Sequence, residues 1–544
     1  MTASVMEVME DLLSTARDVY SDEPAALRTL DELDARLHEP LRLAIAGMVK
    51  AGKSTLLNAV LGEQIAPTDT GECTRVVTWY RYSSTPSLTM HPRDGAPRRM
   101  PIHREHGRLV LDLGGLAAEE VEWIDVGWPL QALKSVILID TPGIASLSED
   151  ASARAARFLT PDDAPPEADA VVYLLRHLHG SDVRFLRAFQ DTAAGASQTV
   201  CAIGVLSRAD EVGSGRIDSL LSARKVAQRY QSDPELASLT LGVIPVAGLL
   251  AEGARTLRES EFIAFRELAA LGRDDRERLL VSADRFTRES ALTGLSTLVR
   301  SDLLSRFGIF GVRMAVTVIR GGAKTSSELA AELIQQSGLL DVQGFIAHQL
   351  QPREATLKAR GIVMTIERML HRHPHAGSAR IRAGIERFTL AAHTLRELSL
   401  LAVARSEGLP LPEEDAAEAE RIIGAEGTGA RERLGMPPET DDVAIGDAVR
   451  ERVGHWRRLS EEPLSEEATR AACRVVIRSL EAIASEVGAS RPLRPLAADV
   501  DAPGRPGQGA GEDAAEQSQK GETRLRRDHR LELRSVLAEG DPLR

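Results

Sequence analysis

The stretch Gly47–Thr55 reads Gly-Met-Val-Lys-Ala-Gly-Lys-Ser-Thr and directly follows the apolar run Leu41–Ala46. It matches the pattern G-x-x-x-x-G-K-[ST] in full. A strand-like segment precedes it and the helix-forming run Leu56–Leu61 follows it, which is the context that a phosphate-binding loop requires. Its glycines let backbone N–H groups close around phosphate oxygens at the positive N-terminus of the following helix. The stretch therefore predicts an α/β fold organised around a nucleotide site.

Individual residues of this loop have separable roles. Lys53 is placed to neutralise the β- and γ-phosphates, and the Ser54 hydroxyl is placed to ligate Mg²⁺. The alternative is a tight strand-to-helix turn that binds no ligand. The other loop residues for which we predict nucleotide contacts are Gly47, Lys50, Ala51, Gly52 and Thr55.

The composition of the whole chain limits the classes of function. With 544 residues it exceeds the size at which a single core stops growing, so two or three domains are expected. A net charge of −13, from 80 acidic and 67 basic residues, argues against a nucleic-acid-binding surface. The three cysteines are widely spaced and form no C-x-x-C, so neither a disulfide framework nor a zinc site is predicted. Together with an N-terminus that lacks the features of a secretory signal, this indicates a protein of the reducing cytoplasm.

A polar, turn-rich stretch, residues 65–75, separates the first helix from the strand-like residues 76–82. Its composition predicts a mobile loop beside the nucleotide. One of its threonines could reach Mg²⁺ and the γ-phosphate. We choose Thr74, just before the strand, over Thr68 and Thr70, and at least two of the three are then solvated loop residues.

The second motif is Asp140-Thr141-Pro142-Gly143, which ends the apolar run Val136–Ile139. The Asp140 carboxylate can hold the Mg²⁺ shell, and the N–H of Gly143 can sense the γ-phosphate. Alone, the four residues are compatible with a simple β-turn. Their position about 90 residues after the phosphate loop favours a nucleotide switch. We accordingly assign catalytic roles to Lys53, Thr74 and Gly143, and Mg²⁺ ligation to Ser54, Thr74 and Asp140.

The third motif points to the base. The apolar run Thr199–Leu206 ends in Ser207-Arg208-Ala209-Asp210, at the position where nucleotide-binding proteins carry [NT]-K-x-D. Asp210 can accept hydrogen bonds from guanine N1 and N2, and Arg208 can cover the base with a stacking guanidinium. A strand followed by Ser-x-x-Asp is also an ordinary helix cap. With Ser207 as a further contact and Ala247 predicted at the base edge, the motif favours GTP.

Helical patterns flank these motifs on both sides. Residues 5–20 and 26–37 each repeat apolar side chains at alternating spacings of four and three, which predicts two helices before the phosphate loop. After residue 352 the strand signals stop, and amphipathic stripes over 362–369, 381–395 and 473–487 predict a helical bundle.

Two further segments bear on membrane contact. The apolar run Phe307–Ile319 is shorter than the roughly 20 residues that span a bilayer, and its spacing favours a buried helix over a membrane-inserting loop. The basic connection Arg368–Arg382 contains the sequence His371-Arg372-His373-Pro374-His375. It is open to three interpretations: a solvated turn, a surface for anionic lipid, or a metal site.

These patterns divide the chain into four predicted parts. Residues 1–39 are N-terminal helices, 40–350 form the GTPase domain, 351–490 form the helical bundle, and 491–544 are a disordered tail rich in Pro, Gly and acidic residues.

Taken together, the motifs resemble those of the bacterial dynamin-like GTPases. The resemblance rests on Gly47–Thr55, Thr74-Arg75, Asp140–Gly143 and Ser207–Asp210, with helices on both sides of them. It implies a GTPase domain on a mixed, mostly parallel sheet, and a helical neck or trunk built jointly from the N-terminal helices and the C-terminal bundle. Two departures stand out: Arg208 replaces the usual Lys, and Lys50 stands where many eukaryotic dynamins have Ser. Its ammonium could supply charge that those enzymes take from elsewhere.

The resemblance also implies a mode of action. Such proteins bind GTP and Mg²⁺, self-associate through GTPase-domain dimers, and remodel or maintain membranes. We therefore expect a homo-oligomer, with a paralogous dynamin-like protein as a further partner, no nucleic acid, and a cytoplasmic location at the inner face of the plasma membrane. The rival interpretation is a soluble P-loop switch that acts through protein partners and never contacts lipid.

Overall fold

The computed structural model describes residues 4–67, 76–105, 107–143, 167–194, 201–213, 215–462 and 465–489. Residues 1–491 form one compact unit. Thr74, its alternatives Thr68 and Thr70, and the tail 491–544 lie outside the described residues. The division at residues 39 and 350 remains a prediction.

A nine-stranded sheet forms the centre of the N-terminal half, in the order β11-β10-β9-β1-β8-β2-β7-β3-β4. The five strands from β11 to β8 are mutually parallel, and β2 and β7 are parallel to each other but antiparallel to β8. The remaining pairs, β3 with β7 and with β4, are antiparallel. This confirms the predicted mixed, mostly parallel sheet. The strands are β1 Leu41–Gly47, β2 Val77–Tyr82, β3 Ser87–Pro92, β4 Arg98–Arg99, β7 Val121–Trp128, β8 Val136–Asp140, β9 Ala170–Leu175, β10 Ala202–Ser207 and β11 Val243–Val246, with β5 His103–Glu105 and β6 Arg108–Val110 in a separate hairpin.

The central strands are apolar throughout because they are buried on both faces. All six residues of β9 and all five of β8 are buried, which is why each appears in the sequence as a continuous apolar run. Parallel strands need crossover connections, and the burial of every residue in β8 and β9 shows that both faces of these strands are covered.

The α-helices of the described ranges are α1 Val5–Val19, α2 Pro24–His38, α3 Lys53–Leu61, α4 Gly180–Ala194, α5 Ser219–Gln231, α6 Pro234–Ala237, α7 Gly248–Arg255, α8 Glu259–Ala270, α9 Arg273–Leu279, α10 Ala283–Thr287, α11 Thr297–Arg320, α12 Ser326–Gln336, α13 Leu339–Phe345, α14 Glu354–Arg372, α15 Ser378–Ala391, α16 His393–Ser406, α17 Glu413–Ile422, α18 Ala430–Leu434, α19 Asp442–Glu461 and α20 Glu467–Ala489.

The N-terminal helices pack against helices from beyond residue 350. Buried side chains of α1 and α2 form one hydrophobic cluster with those of α14 and α15. Gly384 of α15 lets α1 approach closely, since a Cβ there would lie 2.7 Å from Leu12 Cδ1. The N-terminal helices therefore pack against the first two α-helices that follow residue 350.

One predicted stripe spans two helices. The apolar pattern from Ile381 to Leu395 predicts a single helix, but α15 ends at Ala391 and α16 begins at His393. The residue between them, Ala392, has non-helical dihedrals of φ −77° and ψ 60°. The break is needed because α15 packs on α1, whereas Leu401 of α16 belongs to the separate cluster that includes α20.

The apolar run Phe307–Ile319 lies inside α11, as predicted, with Phe307, Phe310 and Met314 buried. Helix α11 is interrupted at Gly308, which the periodicity does not indicate. Among the described helices, none combines the length and the apolar character needed to cross a membrane.

Candidate functional site: a nucleotide pocket at the sheet edge

The predicted site residues meet at one edge of the sheet. Strands β1, β8 and β10 are parallel and end at Gly47, Asp140 and Ser207 respectively. The carboxyl ends of parallel strands lie at the same edge, and ligands of α/β proteins bind there. The three motifs, far apart in sequence, therefore face one another.

The phosphate loop ends in the helix cap of α3. Gly52 occupies the cap position with φ 94°, and Lys50 is also left-handed, with φ 62°. Lys53 points back over the loop, where its ammonium donates to the carbonyls of Gly47 and Met48, both at 3.3 Å. Burial lowers the pKa of Lys53, while the nearby charge of Asp140 opposes that shift. Among the described residues, this partly buried cation contacts two loop carbonyls and has a carboxylate nearby, which suits it to receive a phosphate.

Ser54 and Asp140 are the residues that could hold a cation. The Ser54 hydroxyl donates to Asp140 Oδ2 at 3.0 Å. The other oxygen, Oδ1, is buried and accepts no hydrogen bond from the described residues. Burial raises the pKa of Asp140 to about 6, although Lys53 and Ser54 both act in the opposite direction. A hydroxyl and an unsatisfied buried carboxylate oxygen are the hard donors that Mg²⁺ prefers, so these residues fit the ion.

The second motif, Asp140–Gly143, contacts the phosphate loop directly. A Cβ at Gly143 would lie 2.5 Å from Val49 Cγ2 and 2.9 Å from its Cα, so only glycine permits this approach. Thr141 fixes the segment to β1, because its hydroxyl donates to the Ile45 carbonyl at 2.9 Å. The backbone after Asp140 is therefore held against the loop that would surround the phosphates.

A cavity of about 170 Å³ opens beside the loop, and Asp210 forms part of its wall. Burial raises the pKa of the Asp210 carboxyl, and the Arg208 charge partly offsets this. Phosphate-loop residues and apolar side chains both line the cavity, a composition suited to a planar base next to a phosphate group. Its lining includes Ala51, Gly52, Thr55, Leu174, Val205, Arg208, Val246, Gly248 and Leu249.

Arg208 links the base region to the phosphate loop. It is a left-handed residue, with φ 52°, and its guanidinium donates to the Lys50 carbonyl at 3.1 Å and to Glu211 Oε1 at 2.7 Å. Glu211 also accepts from Arg176 at 2.8 Å. Arg208, which replaces the usual Lys, therefore lies at the cavity and shares the Glu211 carboxylate with Arg176. The Lys50 side chain, by contrast, is exposed.

Two predicted contacts are placed differently from the rest. The Ser207 hydroxyl donates to the Leu175 carbonyl at 3.1 Å, so it ties β10 to β9 even though the residue borders the cavity. Ala247 is fully buried and donates its N–H to the Ser337 carbonyl, while its neighbours Val246 and Gly248 form the wall.

Sequence reasoning missed Glu211 and Leu249, which also border the cavity. Glu211 had a weak signal, since it follows Arg208 by three residues. Leu249 had none beyond its place after the last strand.

The basic connection lies beside acidic residues at the end of α1 and the start of α2. Arg380 is 4.0 Å from an Asp18 carboxylate oxygen, and His373 is 3.5 Å from Glu23. The three histidines have separate partners: His371 contacts the Glu367 carbonyl and His375 accepts from the Gly377 N–H. Among the described residues, these histidines belong to no group whose possible ligand atoms lie within 4.8 Å of one another, which contradicts the metal interpretation.

Comparisons with known proteins agree with this geometry. The sequence model described as the Dynamin family matches residues 43–186. The chain is 42% identical over 462 residues to the isoniazid-induced protein IniC of Mycobacterium tuberculosis, covering 85% of this chain and 93% of that protein. It is 25% identical over 301 residues to IniA of the same species, covering 53% and 43%. A bacterial dynamin-like protein of Nostoc punctiforme is 32% identical over 114 residues, covering 19% and 16%. The chain therefore belongs to the dynamin family, as a bacterial dynamin-like protein similar to IniC.

Proposed function

We propose that this dynamin-like protein binds GTP together with Mg²⁺ and hydrolyses it to GDP and phosphate. The observation that carries the proposal is the Ser54–Asp140 pair, in which one buried carboxylate oxygen accepts no hydrogen bond from the described residues, at the same sheet edge as Lys53 and the cavity that Asp210 lines. A turn that binds no ligand gives no reason to bury a carboxylate oxygen that accepts no hydrogen bond from the described residues.

Each residue has a defined task in this proposal. Lys53 and the loop N–H groups hold the β- and γ-phosphates, and Ser54 and Asp140 hold Mg²⁺, which supplies charge neutralisation between those phosphates. Gly143, packed on the phosphate loop, presents its N–H to the γ-phosphate. Thr74, in the polar stretch of residues 65–75, is proposed as a further Mg²⁺ ligand. Asp210 accepts from guanine N1–H and N2–H₂.

The Asp210→Asn variant tests the choice of base. An amide cannot accept from both guanine donors but can pair with the 2-oxo group of xanthine, so preference should move from GTP to XTP. Leaving buried donors unsatisfied should weaken GTP on the order of a hundredfold. The measurement is equilibrium titration with both nucleotides. Asp218→Asn, an exposed aspartate of the same region, is the matched control. Unchanged GTP preference in Asp210→Asn contradicts the assignment.

The proposal extends to self-association and to membranes. We infer that GTPase domains pair, with a second copy or a paralogous dynamin-like protein. We also infer that the protein acts from the cytoplasm at the inner face of the plasma membrane, which it remodels or maintains. Support comes from membership of the dynamin family and from the basic connection Arg368–Arg382.

One observation favours a second candidate. The acidic residues Asp18 and Glu23 lie next to the basic connection and offset part of its charge. A soluble switch that acts through protein partners would not need an uncompensated basic surface. Binding to anionic liposomes separates the two candidates, because a soluble switch would not bind them.

A further inference from the structure

Helix α11 is broken at Gly308, beside the cavity that Asp210 and Leu249 line, here called the base cavity. Gly308 has φ 64° and ψ 171°, a conformation that residues with a Cβ rarely adopt. A Cβ built there would lie 3.9 Å from Asp210 Oδ2 and 3.5 Å from Leu249 Cδ2. The break thus brings the backbone of α11 to both walls of the cavity, the one with Asp210 and the one with Leu249.

The first wall is held by Arg313, on the part of α11 that follows the break. Its guanidinium donates to the Gly215 carbonyl at 2.6 Å, and Gly215 lies in the segment that follows Asp210. It also donates to the Leu280 carbonyl, at 2.7 and 2.9 Å, and to the Val281 carbonyl at 2.8 Å. In the described part of the chain, all these acceptors are backbone carbonyls. Five N–H donors in a rigid plane suit such a set, whereas the point charge of a lysine does not.

The second wall is held by the part of α11 that precedes the break. The fully buried ring of Phe307 packs on Gly253 of α7, where a Cβ would lie 2.7 Å from the ring. Helix α7 begins at Gly248, next to the cavity residue Leu249. The two parts of α11 therefore contact the two opposite walls of the cavity, one with Asp210 and one with Leu249.

We propose that Arg313 is a positioning residue for guanine recognition. By holding the Gly215 segment, it fixes the Asp210 carboxylate at the correct distance from the opposite wall. This inference rests on the proposed function, since it concerns the base cavity of a GTP site. It goes beyond that function by assigning selectivity to a helix that contributes no side chain to the cavity lining.

The test compares GTP with ITP, which lacks the exocyclic 2-amino group but carries the same ribose and triphosphate. A displaced Asp210 loses two hydrogen bonds to GTP and one to ITP. In Arg313→Ala, the ratio of GTP to ITP affinity should therefore fall about tenfold, the value of one hydrogen bond to a charged group. General damage to the fold would lower both affinities together and leave the ratio unchanged.

The matched control is Arg320→Ala, on the same helix, whose guanidinium donates to the Ala269 carbonyl at 3.3 Å. Its ratio should equal that of the parent. If Arg313→Ala does not fold, Arg313→Lys keeps the charge without the fork, and its ratio should lie below the parent value. A parental ratio in either folded Arg313 variant overturns the proposal. A parent chain that does not prefer GTP over ITP contradicts the proposed function instead.

Discussion

At the scale of the residue, Asp140 combines a functional position with an unfavourable environment. Burial raises its pKa from 3.8 to about 6. The folded state thus holds this proton more tightly than the unfolded state, and stability falls as pH rises between these two values. The difference of about two pKa units corresponds to a loss on the order of 3 kcal/mol.

We therefore predict that Asp140→Asn stabilises the nucleotide-free protein near neutral pH but not at about pH 4. The reason is that the amide carries no charge that burial can penalise. Urea unfolding of parent and variant at both pH values, in the presence of a chelator, measures this difference. Because the comparison is between variant and parent, the titration of other carboxylates cancels. A stability difference that does not change with pH would contradict the pKa given for Asp140.

At the scale of the element, a buried ion pair joins α2 to the sheet. Arg36 of α2 contacts Asp169, just before β9, at 3.2 Å, and these residues are only 7% and 1% exposed. The same carboxylate accepts from the Arg42 N–H at 2.9 Å, and Arg360 of α14 approaches the Asp169 carbonyl at 3.4 Å. Three segments of the chain therefore meet at one aspartate.

The prediction is that Asp169→Ala destabilises the protein by about 3–5 kcal/mol, because Arg36 stays buried without this carboxylate. Asp31→Ala is the matched control. Asp31 lies on the same helix and forms an ion pair of similar length, with Arg17 at 3.1 Å. The Asp31 side chain, however, is 69% exposed. Its loss should be below about 1 kcal/mol. Equal shifts of the denaturation midpoint in the two variants would show that burial does not decide the strength of this link.

Elements that depend on local sequence could be predicted, and those that depend on distant contacts could not. The apolar runs before Gly47, Asp140 and Ser207 predict β1, β8 and β10, because strands buried on both faces must be apolar throughout. The Arg36–Asp169 pair spans 133 residues, so no pattern in the sequence reveals it.

The helix breaks show the same limit. The break at Gly308 follows from the two walls that α11 contacts, and the break at Ala392 follows from the different neighbours of α15 and α16. Periodicity reports which residues are apolar but not which helix they face, so it extends both patterns without interruption. The candidate site residues could be named from the sequence because phosphate, cation and base each require a particular chemistry at the end of a strand, and their roles stay predictions.

At the scale of the whole molecule, the first question is contact with lipid. Triple reversal of Arg372, Arg380 and Arg382 to Glu should weaken binding to anionic liposomes about a hundredfold, since each charge near such a surface contributes about 1 kcal/mol. Parent binding should also weaken with salt. Co-sedimentation with and without a non-hydrolysable GTP analogue measures both effects.

The control for this reversal is the same change at Arg457, Arg474 and Arg478. These arginines of α19 and α20 are similarly exposed, at 59%, 59% and 52% of their side chains. Equal losses in the two triple variants would indicate a general charge effect. A parent chain that does not sediment with liposomes would favour the soluble switch.

The second question is how hydrolysis is completed. In the sequence, Gly143 is followed by Ile144 and Ala145, so no Gln stands where small regulatory GTPases use one to orient the attacking water. Activity of the isolated molecule should therefore be slow. An arginine finger in trans contributes about 10³–10⁵ in rate where it operates, and a head-to-head pair that orders the switch loops is the other route.

Either route makes the rate depend on encounters between molecules. We predict that GTP turnover per molecule rises with protein concentration, and rises further on anionic liposomes that concentrate the protein in two dimensions. Phosphate release across a dilution series of about a hundredfold measures the first effect, with Lys53→Ala as the variant that cannot hold the phosphates. The dependence should disappear when nearly all molecules are paired, because the rate is then that of the dimer. Constant turnover over the series, with no dimer detected in the presence of a transition-state mimic, would instead indicate a GTPase domain that contains every group it needs.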